Sequence, residues 1–486
     1  MNARRTFRRV LVANRGEIAV RVIGTCRRLG IETVLTVSDA DVGALPARLA
    51  DQVIRIGPAP AAGSYLNVDA VVGAAVAAGA DAVHPGYGFL SENALLARAC
   101  AAAGIVFIGP TPEMLEASGD KLAARAHAVA AGLPVLPGAD TGAHADAEAL
   151  VSRIGFPVLV KAAGGGGGRG LRVVREEAAL ADAVTVASAE AGAAFGDARV
   201  YLERYVERGR HVEVQILGDG ERVIHLGDRD CSVQRRYQKL IEEAPAPGLD
   251  DDLRTRLRAA AVALGAHLGY RGAGTVEFLV DADRGEFYFL EVNARIQVEH
   301  PVTEAITGLD LVAEQIAIAE GRPLRLRQED VTFAGHAIEC RINAEDPAND
   351  FRPSPGTVSR AVFPISPGCI RVDTHVQAGV SVPPYYDSLL AKVIARGADR
   401  ADALATLRDA LDRCVIGGVT TNLDLQRVVI ASAGFAGGGV DTGYLGRWLA
   451  HQRQGGDGPE SAGTVQDHAG SDLDFDLERG AGAGDD

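Results

Sequence analysis

The stretch that decides the fold is Lys161-Ala-Ala-Gly-Gly-Gly-Gly-Gly-Arg-Gly170, which lies between Pro157-Val-Leu-Val160 and Leu171-Arg-Val-Val174. Both flanks are short and rich in aliphatic and β-branched residues, so the pattern predicts a strand, a glycine loop and a second strand. Because glycines have no Cβ, their backbone N–H groups can approach a ligand closely and form a concavity for an anion. The loop lacks the Gly-Lys-[Ser/Thr] of a Walker motif. A flexible linker is the alternative, but the tight strands and the two framing cations favour phosphate binding.

Length and composition narrow the class of protein. A chain of 486 residues with 47% hydrophobic residues suits about three compact units with real cores. No apolar run approaches the ~20 residues of a membrane span. The basic start is followed by too short an apolar stretch for a secretory signal, so we expect a cytoplasmic protein.

The net charge and the cysteine positions argue against a nucleic-acid-binding protein and against a disulfide-bonded or zinc-binding one. The net charge of −15 argues against a nucleic-acid partner. From residue 455 onward there are nine acidic residues and one basic residue, and we predict that the tail 454–486 is acidic and disordered, without chemistry. The six cysteines are scattered without a CxxC pair, which favours reduced, buried thiols over disulfides or a zinc site.

Three units are predicted along the chain. Strands alternate with helices over residues 1–113, which predicts an open, mostly parallel α/β domain, and the absence of GxGxxG leaves dinucleotide binding unsupported. Residues 114–321 are predicted to form a central unit. Within it, residues from about 133 to 206 carry the glycine loop and are predicted to form a lid over the bound phosphates. A third, α+β segment covers residues 331–448.

A pair of acidic strands carries the second signal. Residues 276–280 and 286–291 are two strands joined by a short turn, with Glu277 on the first strand and Glu291 at the end of the second. A carboxylate that leaves a buried hairpin is costly unless it is paired or binds a metal ion. Together with Asn293, the two form an all-oxygen set that suits Mg²⁺ bound to nucleotide phosphates. Salt bridges at the strand edge are the alternative for each carboxylate alone.

The segment after these strands contains Arg295, Gln297 and Glu299, which share period-2 parity with Glu291 and Asn293. If the chain stays extended, these side chains line one face. A guanidinium, an amide and a carboxylate that face one way can bind a small oxyanion and deprotonate a group beside it.

Weaker signals come from other polar residues. His211 lies on a predicted strand, where a lone histidine is more often a satisfied core residue. Lys239 follows a basic cluster that, by itself, fits a solvated ion-pair face. A buried Arg341 would need an anion or a carboxylate partner, and the turn 383–387 reads as packing or interface rather than catalysis.

Beyond these local patterns, the sequence resembles the biotin carboxylase family, the ATP-grasp subunit or domain of biotin-dependent carboxylases. The resemblance covers about residues 8–448 in order. It rests on these motifs: Ala13-Asn-Arg-Gly-Glu-Ile, His84-Pro-Gly-Tyr-Gly-Phe-Leu-Ser-Glu-Asn, Lys161 to Gly170, Gln234-Arg-Arg-Tyr-Gln-Lys, Glu242-Glu-Ala-Pro-Ala-Pro, Arg295-Ile-Gln-Val-Glu-His-Pro, Glu339-Cys-Arg-Ile-Asn-Ala-Glu-Asp-Pro, Pro383-Pro-Tyr-Tyr-Asp-Ser and Thr421-Asn-Leu.

The resemblance implies an ADP-forming ligase in which ATP phosphorylates bicarbonate to carboxyphosphate and the N1′ atom of biotin is carboxylated. Glu299 would be the general base, Lys239 would position bicarbonate or carboxyphosphate, and Arg341 would stabilise the biotin enolate beside Tyr87. Bicarbonate would bind to Arg295, Gln297 and the Val298 amide, and Mg²⁺ (or Mn²⁺) to Glu277, Glu291 and Asn293. The implied ATP-binding residues are Lys121, Lys161, Gly167, Gly168, Glu203, Val206, His211, Gln234, Glu277 and Glu291.

Two positions depart from the family pattern. Tyr237 stands where many members have histidine near the ribose, and Ala294 replaces the usual threonine or proline. We expect small effects on nucleotide contacts and none on the reaction type.

The sequence has no Ala-Met-Lys-Met biotinylation motif and no carboxyltransferase-length region. Biotin is therefore expected on a separate carrier protein, with separate carboxyltransferase subunits. The acyl acceptor, acetyl-CoA or another, stays open. The resemblance also implies a homodimer formed through the N- and C-terminal segments.

Two other readings compete. Another ATP-grasp ligase, one that activates a carboxylate for an amine, would share the lid and the metal carboxylates, but it has no need for Arg295, Gln297 and Glu299 with Arg341. A silent nucleotide-binding or assembly protein would be expected to have lost a lysine, a metal carboxylate or Glu299, and none is missing.

Overall fold

The computed structural model describes residues 6–140, 151–162 and 171–453. Its first part is a parallel α/β domain, as predicted. The strands and their helices are β1 Arg9–Val12, α1 Gly16–Arg28, β2 Glu32–Ser38, α2 Leu45–Leu49, β3 Gln52–Gly57, α3 Val68–Ala77, β4 Ala82–His84, α4 Ala94–Ala102 and β5 Val106–Phe107. The five strands form a fully parallel sheet in the order β3-β2-β1-β4-β5.

The carboxyl edge of this sheet supplies one wall of the site. Val10, Leu11 and Val12 of β1 are fully buried, as a central parallel strand requires. The chain leaves β1 directly into α1, and it leaves β4 into a loop whose Pro85 carbonyl accepts a hydrogen bond from Asn14 at 2.7 Å. The first turn of α1 and the loop after β4 therefore meet at this edge, where open α/β sheets bind ligands.

A small antiparallel sheet and its helices follow. The elements of this part are α5 Pro112–Gly119, α6 Lys121–Ala130, β6 Gly138–Asp140, β7 Val158–Ala162, β8 Arg172–Val174, α7 Leu180–Phe195 and β9 Val200–Arg204. The strand order is β6-β9-β7-β8. The predicted strands on both sides of the glycine run are present as β7 and β8, but the run itself, with Gly167 and Gly168, lies outside the described residues.

The largest sheet has eight antiparallel strands. Its strands and intervening helices are β10 Gly209–Asp219, β11 Val223–Arg235, β12 Gln238–Ala244, α8 Asp251–His267, β13 Arg271–Asp281, β14 Glu286–Asn293, α9 His300–Thr307, α10 Leu311–Ala319, β15 His336–Asn343, β20 Ile370–Thr374 and β22 Leu389–Gly397. The strand order is β14-β13-β10-β11-β12-β15-β22-β20. The sheet runs without a break across the predicted boundary between the central unit and the third segment, because β12 pairs with β15.

Short strands and helices complete the last segment and give it the predicted α+β character. They are β16 Glu345–Asp346, β17 Arg352–Pro353, β18 Gly356–Thr357, β19 Arg360–Val362, β21 Ser381–Val382, α11 Arg400–Arg413, β23 Val415–Gly417, α12 Leu423–Ala431, α13 Ala433–Gly437 and α14 Tyr444–Arg453. The predicted tail 454–486 lies outside the described residues. Within the described ranges, no helix is long and apolar enough to cross a bilayer.

Candidate active site

A cavity of about 760 Å³ lies where the parallel sheet, the small sheet and the eight-stranded sheet meet. It brings together most of the residues that the sequence singled out. Those that line it are Tyr87, Lys121, Lys161, Val206, His211, Gln234, Lys239, Glu277, Glu291, Asn293, Arg295, Gln297, Val298 and Arg341.

Lys239 is the centre of one end of this cavity. Its ammonium donates hydrogen bonds to Glu213, Glu277 and Glu299, each at 2.7 Å. Burial disfavours the charged ammonium, but the three carboxylates outweigh it and raise the pKa of Lys239 well above its ordinary value. The alternative that Lys239 belongs to a solvent-exposed face of ion pairs is therefore wrong.

Glu299 lies beneath the cavity wall and is fully buried. Its second oxygen accepts a hydrogen bond from Arg341 at 2.8 Å, so the carboxylate is held between Lys239 and Arg341. Burial opposes its ionisation, but Lys239, Arg341 and the more distant Arg229 together hold the pKa of Glu299 well below the ordinary value. Glu299 is therefore ionised, as a group must be if it is to accept a proton.

The segment that carries Arg295, Gln297 and Glu299 is not extended. Strand β14 ends at Asn293 and helix α9 begins at His300, so the alternation that would place the three side chains on one face does not apply. Side-chain hydrogen bonds nevertheless bring the first two together: Arg295 donates to Gln297 Oε1 at 2.8 Å and to Asn293 Oδ1 at 2.7 Å.

Glu277 and Glu291 lie directly opposite each other on β13 and β14. Lys239 and His211 hold the pKa of Glu277 below its ordinary value despite burial, whereas burial and the charge of Glu277 raise the pKa of Glu291. Asn293 donates to Glu277 at 2.9 Å. This all-oxygen set fits a hard divalent cation, because a cation would offset the repulsion between the Glu277 and Glu291 carboxylates.

A second group of possible metal ligands, His211, Glu213 and Glu277, has its ligand atoms within 4.8 Å of one another. We do not assign a magnesium ion there, because this group includes a histidine nitrogen and Mg²⁺ prefers oxygen ligands. His211 Nε2 lies 2.8 Å from Glu277, and Gln234 donates to the Cys231 carbonyl at 2.9 Å.

The opposite end of the cavity has the character of a nucleotide pocket. Lys161 lies 2.6 Å from Glu203, which is buried behind the cavity wall. Lys121 forms no ion pair with any described residue, and burial lowers its pKa. Five apolar side chains that could hold a planar base line the same end: Leu136, Leu159, Val206, Leu279 and Leu290.

Three family models cover this architecture. The biotin carboxylase N-terminal domain matches residues 6–115, the carbamoyl-phosphate synthase L chain ATP binding domain matches residues 120–327, and the biotin carboxylase C-terminal domain matches residues 339–447. The chain is 51% identical over 445 residues to a biotin carboxylase of Pseudomonas aeruginosa, covering 91% of this chain and 98% of that relative. The chain belongs to the biotin carboxylase family.

Solved structures agree with this membership of the biotin carboxylase family. The biotin carboxylase–β,γ-ATP complex of Campylobacter jejuni matches with a TM-score of 0.88 and 44% identity, over 91% of this chain and 99% of that one. The dimeric biotin carboxylase domain of the 2-oxoglutarate carboxylase of Hydrogenobacter thermophilus, with MgADP, ADP and bicarbonate, matches with a TM-score of 0.88 and 44% identity, over 92% and 98% of the two chains. A biotin carboxylase of Nostoc is 50% identical over 90% of this chain and 98% of its own length.

The sequence did not single out several charged residues that hold the biotin carboxylase site together. Glu213 is fully buried between Lys239 and Arg229. Glu92 accepts hydrogen bonds from Arg295 at 3.0 Å and from the Ala294 amide at 2.9 Å. An acidic residue that alternates with valines, as Glu213 does, was the available signal for the first. The signal for the second was the position of Glu92 in the loop that follows β4, at the sheet edge where open α/β folds bind ligands.

Arg341 does have the carboxylate partners that a buried arginine needs, since its Nε lies 2.6 Å from Glu242. In the turn 383–387, Tyr386 packs as expected for a structural turn, with the Arg15 guanidinium 4.2 Å from its ring centre. Asp387, in contrast, lines the cavity.

Proposed function

We propose that the residues of this cavity carry out the ATP- and bicarbonate-dependent carboxylation of biotin, the activity of the biotin carboxylase family. One observation carries the assignment of roles. Glu299, fully buried, is bonded to both Lys239 and Arg341 at the end of the cavity opposite the nucleotide pocket. An ATP-grasp ligase that activates a carboxylate for an amine has no need for this base between two cations.

At this end the side chains bind and deprotonate bicarbonate. Arg295, Gln297 and the Val298 amide hold the anion, and Glu299 takes its proton. The bicarbonate oxygen then attacks the γ-phosphorus of ATP, the bond to the β-phosphate oxygen breaks, and ADP and carboxyphosphate form. Lys239 stabilises the charge that is transferred in this step.

Carboxyphosphate then decomposes to CO₂ and phosphate next to biotin. The released phosphate takes the proton from N1′, and Arg341 stabilises the biotin enolate that forms. Tyr87 lies against the biotin ring. The N1′ atom forms its new bond to the carbon of CO₂. Because carboxyphosphate is lost to water quickly, a closed and desolvated site serves this chemistry.

At the nucleotide end, Lys121, Lys161 and His211, with the amides of Gly167 and Gly168, hold the phosphates, while Glu203, Val206 and Gln234 contact the remainder of ATP. Mg²⁺, when bound to Glu277, Glu291 and Asn293, would neutralise phosphate charge. The opposed carboxylates of Glu277 and Glu291 support this assignment, because they gain from a shared cation.

The partners follow from the reaction. Biotin arrives on a separate carrier protein, and carboxyltransferase subunits use the carboxybiotin, in the cytoplasm. The protein forms a homodimer. The N- and C-terminal segments are expected to form the dimer interface. A second groove supports this, because it brings α1 and residues 365–373 together at one surface, with Arg21, Arg371 and Glu304.

ADP release with MgATP and bicarbonate, with and without free biotin, tests this function on the wild type and on Glu299→Gln. We expect turnover that depends on bicarbonate, that biotin stimulates, and that Glu299→Gln loses. Turnover that ignores both bicarbonate and biotin would reject the substrate assignment. If Glu299→Gln turned over at the wild-type rate, only the role of Glu299 as the general base would be rejected.

A further inference from the structure

Lysine is rare in this chain and its positions are informative. Only four of the 49 lysine and arginine residues are lysines. Arginine serves on the exposed surface, as in the ion pairs of Arg98 with Glu116 and of Arg256 with Asp252. Since arginine meets the ordinary need for a cation here, each remaining lysine marks a place where a compact ammonium has a specific use.

Three of the four lysines, Lys121, Lys161 and Lys239, line the cavity. The fourth, Lys392, has no role in the proposed chemistry. It lies on β22 and its side chain is fully buried. Lys392 is therefore the one lysine whose use the reaction does not already explain.

The contacts of Lys392 join two walls of the active site. Its ammonium donates a hydrogen bond to the Val298 carbonyl at 2.8 Å and lies 3.0 Å from Glu17 Oε1, with Asp373 further away at 3.8 Å. The Val298 carbonyl belongs to the peptide that leads into Glu299. Glu17 lies in the first turn of α1 and accepts a hydrogen bond from the Tyr87 hydroxyl.

Lys392 stays charged although it is buried. Burial disfavours the charged ammonium, but the carboxylates of Glu17, Glu339 and Asp373 outweigh burial and raise the pKa of Lys392 above its ordinary value. An ammonium with tetrahedral donors can point one N–H at the carbonyl and another at the carboxylate, whereas the planar guanidinium of arginine is larger and needs a different geometry.

We propose that Lys392 is a positioning residue that fixes the bicarbonate wall and the biotin wall of the site relative to each other. It holds the Val298–Glu299 peptide directly and holds Tyr87 through Glu17. This proposal rests on the proposed function, because it assigns to Lys392 the alignment of groups that act in that reaction.

The single variant Lys392→Met leaves Glu17 buried without its counter-charge and is expected to fold poorly. The informative variant is therefore Glu17→Gln/Lys392→Met, which removes both charges, compared with Glu17→Gln alone. Glutamine can still accept the Tyr87 hydrogen bond, so the two variants differ in the contacts of Lys392 itself. These are its hydrogen bond to the Val298 carbonyl, its contact with residue 17 and its charge interactions with Asp373 and Glu339. Arg396→Met, on the same strand, is the matched control, since the one hydrogen bond of the Arg396 side chain to a described residue is the 3.4 Å bond to the Ala334 carbonyl.

Relative to Glu17→Gln, we expect the double variant to raise the KM for bicarbonate about tenfold or more. It should also form less carboxybiotin per ADP released, while its KM for ATP stays the same and its unfolding temperature falls less than that of Lys392→Met, because Glu17 no longer needs a counter-charge. Arg396→Met should match the wild type in all four measurements.

A double variant with the bicarbonate KM and coupling of Glu17→Gln would overturn the proposal, because Lys392 would then be only the counter-charge of Glu17. A double variant that no longer folds would also overturn it, because Lys392 would then be a requirement of the fold. Absence of bicarbonate-dependent turnover in the wild type would instead refute the proposed function.

Discussion

The two ends of the cavity differ in how their charged side chains are paired. At the bicarbonate end, Glu299 accepts hydrogen bonds from Lys239 at 2.7 Å and from Arg341 at 2.8 Å. At the nucleotide end, Lys121 forms no ion pair with a described residue, and burial raises the pKa of Glu291. The first end is electrostatically complete without a ligand, and the second has charges that a ligand would complete.

This difference indicates that the bicarbonate end serves mainly catalysis and the nucleotide end serves mainly ligand binding. Preorganised charges lower the cost of forming an anionic transition state, because they need no rearrangement during the reaction. Charges without partners favour the binding of a ligand that carries the complementary charges, here a nucleotide with its cation. Changes at the bicarbonate end should therefore affect turnover and folding together, whereas changes at the nucleotide end should affect mainly the KM for ATP.

The largest effect is expected for Lys239→Met. Its three carboxylate partners would be left buried without their shared cation, which costs about 3–5 kcal/mol for a broken buried pair. Bicarbonate-dependent ADP release should fall about 100-fold or more. Urea denaturation and steady-state kinetics measure the two effects. Arg236→Met, which removes an exposed ion pair with Asp350, is the control and should change neither.

Lys121→Met, which breaks no ion pair with a described residue, should have a smaller effect of a different kind. We expect the KM for ATP to rise about tenfold, the value of one charged hydrogen bond to phosphate, while the KM for bicarbonate is unchanged. Initial rates with each substrate varied in turn measure this. An equal rise in both constants would show that the two ends are not independent.

The pH dependence of stability should identify Glu299 as a group with a depressed pKa. Such a group stabilises the fold fully above the unfolded pKa of about 4.3, and this contribution is lost as pH falls toward the lower folded pKa. The gap in unfolding free energy between the wild type and Glu299→Gln should thus shrink as the pH falls below about 5. Near neutral pH the gap also includes Glu242, because burial and the Glu299 charge raise the pKa of Glu242 to about 7 against the effect of Arg341. A gap that widens as the pH falls below about 5 would contradict the depressed pKa of Glu299.

Tyr237→His should have the smallest effect. Tyr237 is half exposed at the cavity rim, with a backbone φ of 65°, which histidine adopts more readily than most residues. We expect the KM for ATP to stay within about threefold of the wild type, with the same products. A tenfold change in that constant would show that the side chain contacts the nucleotide directly.

Much of the fold could be predicted from local patterns. The alternation of apolar strands and helices predicted the parallel sheet, and the two short strands around the glycine run are present as β7 and β8. Local patterns could not show that β12 pairs with β15, because that contact joins residues about a hundred positions apart.

The site was predicted less completely from the residues alone. Glu277, Glu291 and Asn293 followed from the cost of burying carboxylates, but the grouping of Arg295 with Gln297 depends on side-chain bonds after the strand ends. The alternation of Glu213 with valines marks it as an unusual buried residue, but local spacing reveals neither its pairing with Lys239 nor the pairing of Lys392 with Glu17, because the partners come from different elements.

The continuous eight-stranded sheet limits how this chain can be divided by gene fission or by protein engineering. A break between β14 and β15 would give two fragments that share one hydrogen-bonded sheet, and each would expose an unpaired edge strand, β12 in one and β15 in the other. Such fragments would be prone to aggregate and could not be exchanged between relatives as separate modules. The parallel sheet at the start of the chain has its own closed set of strands, and it is the more suitable unit for such exchange.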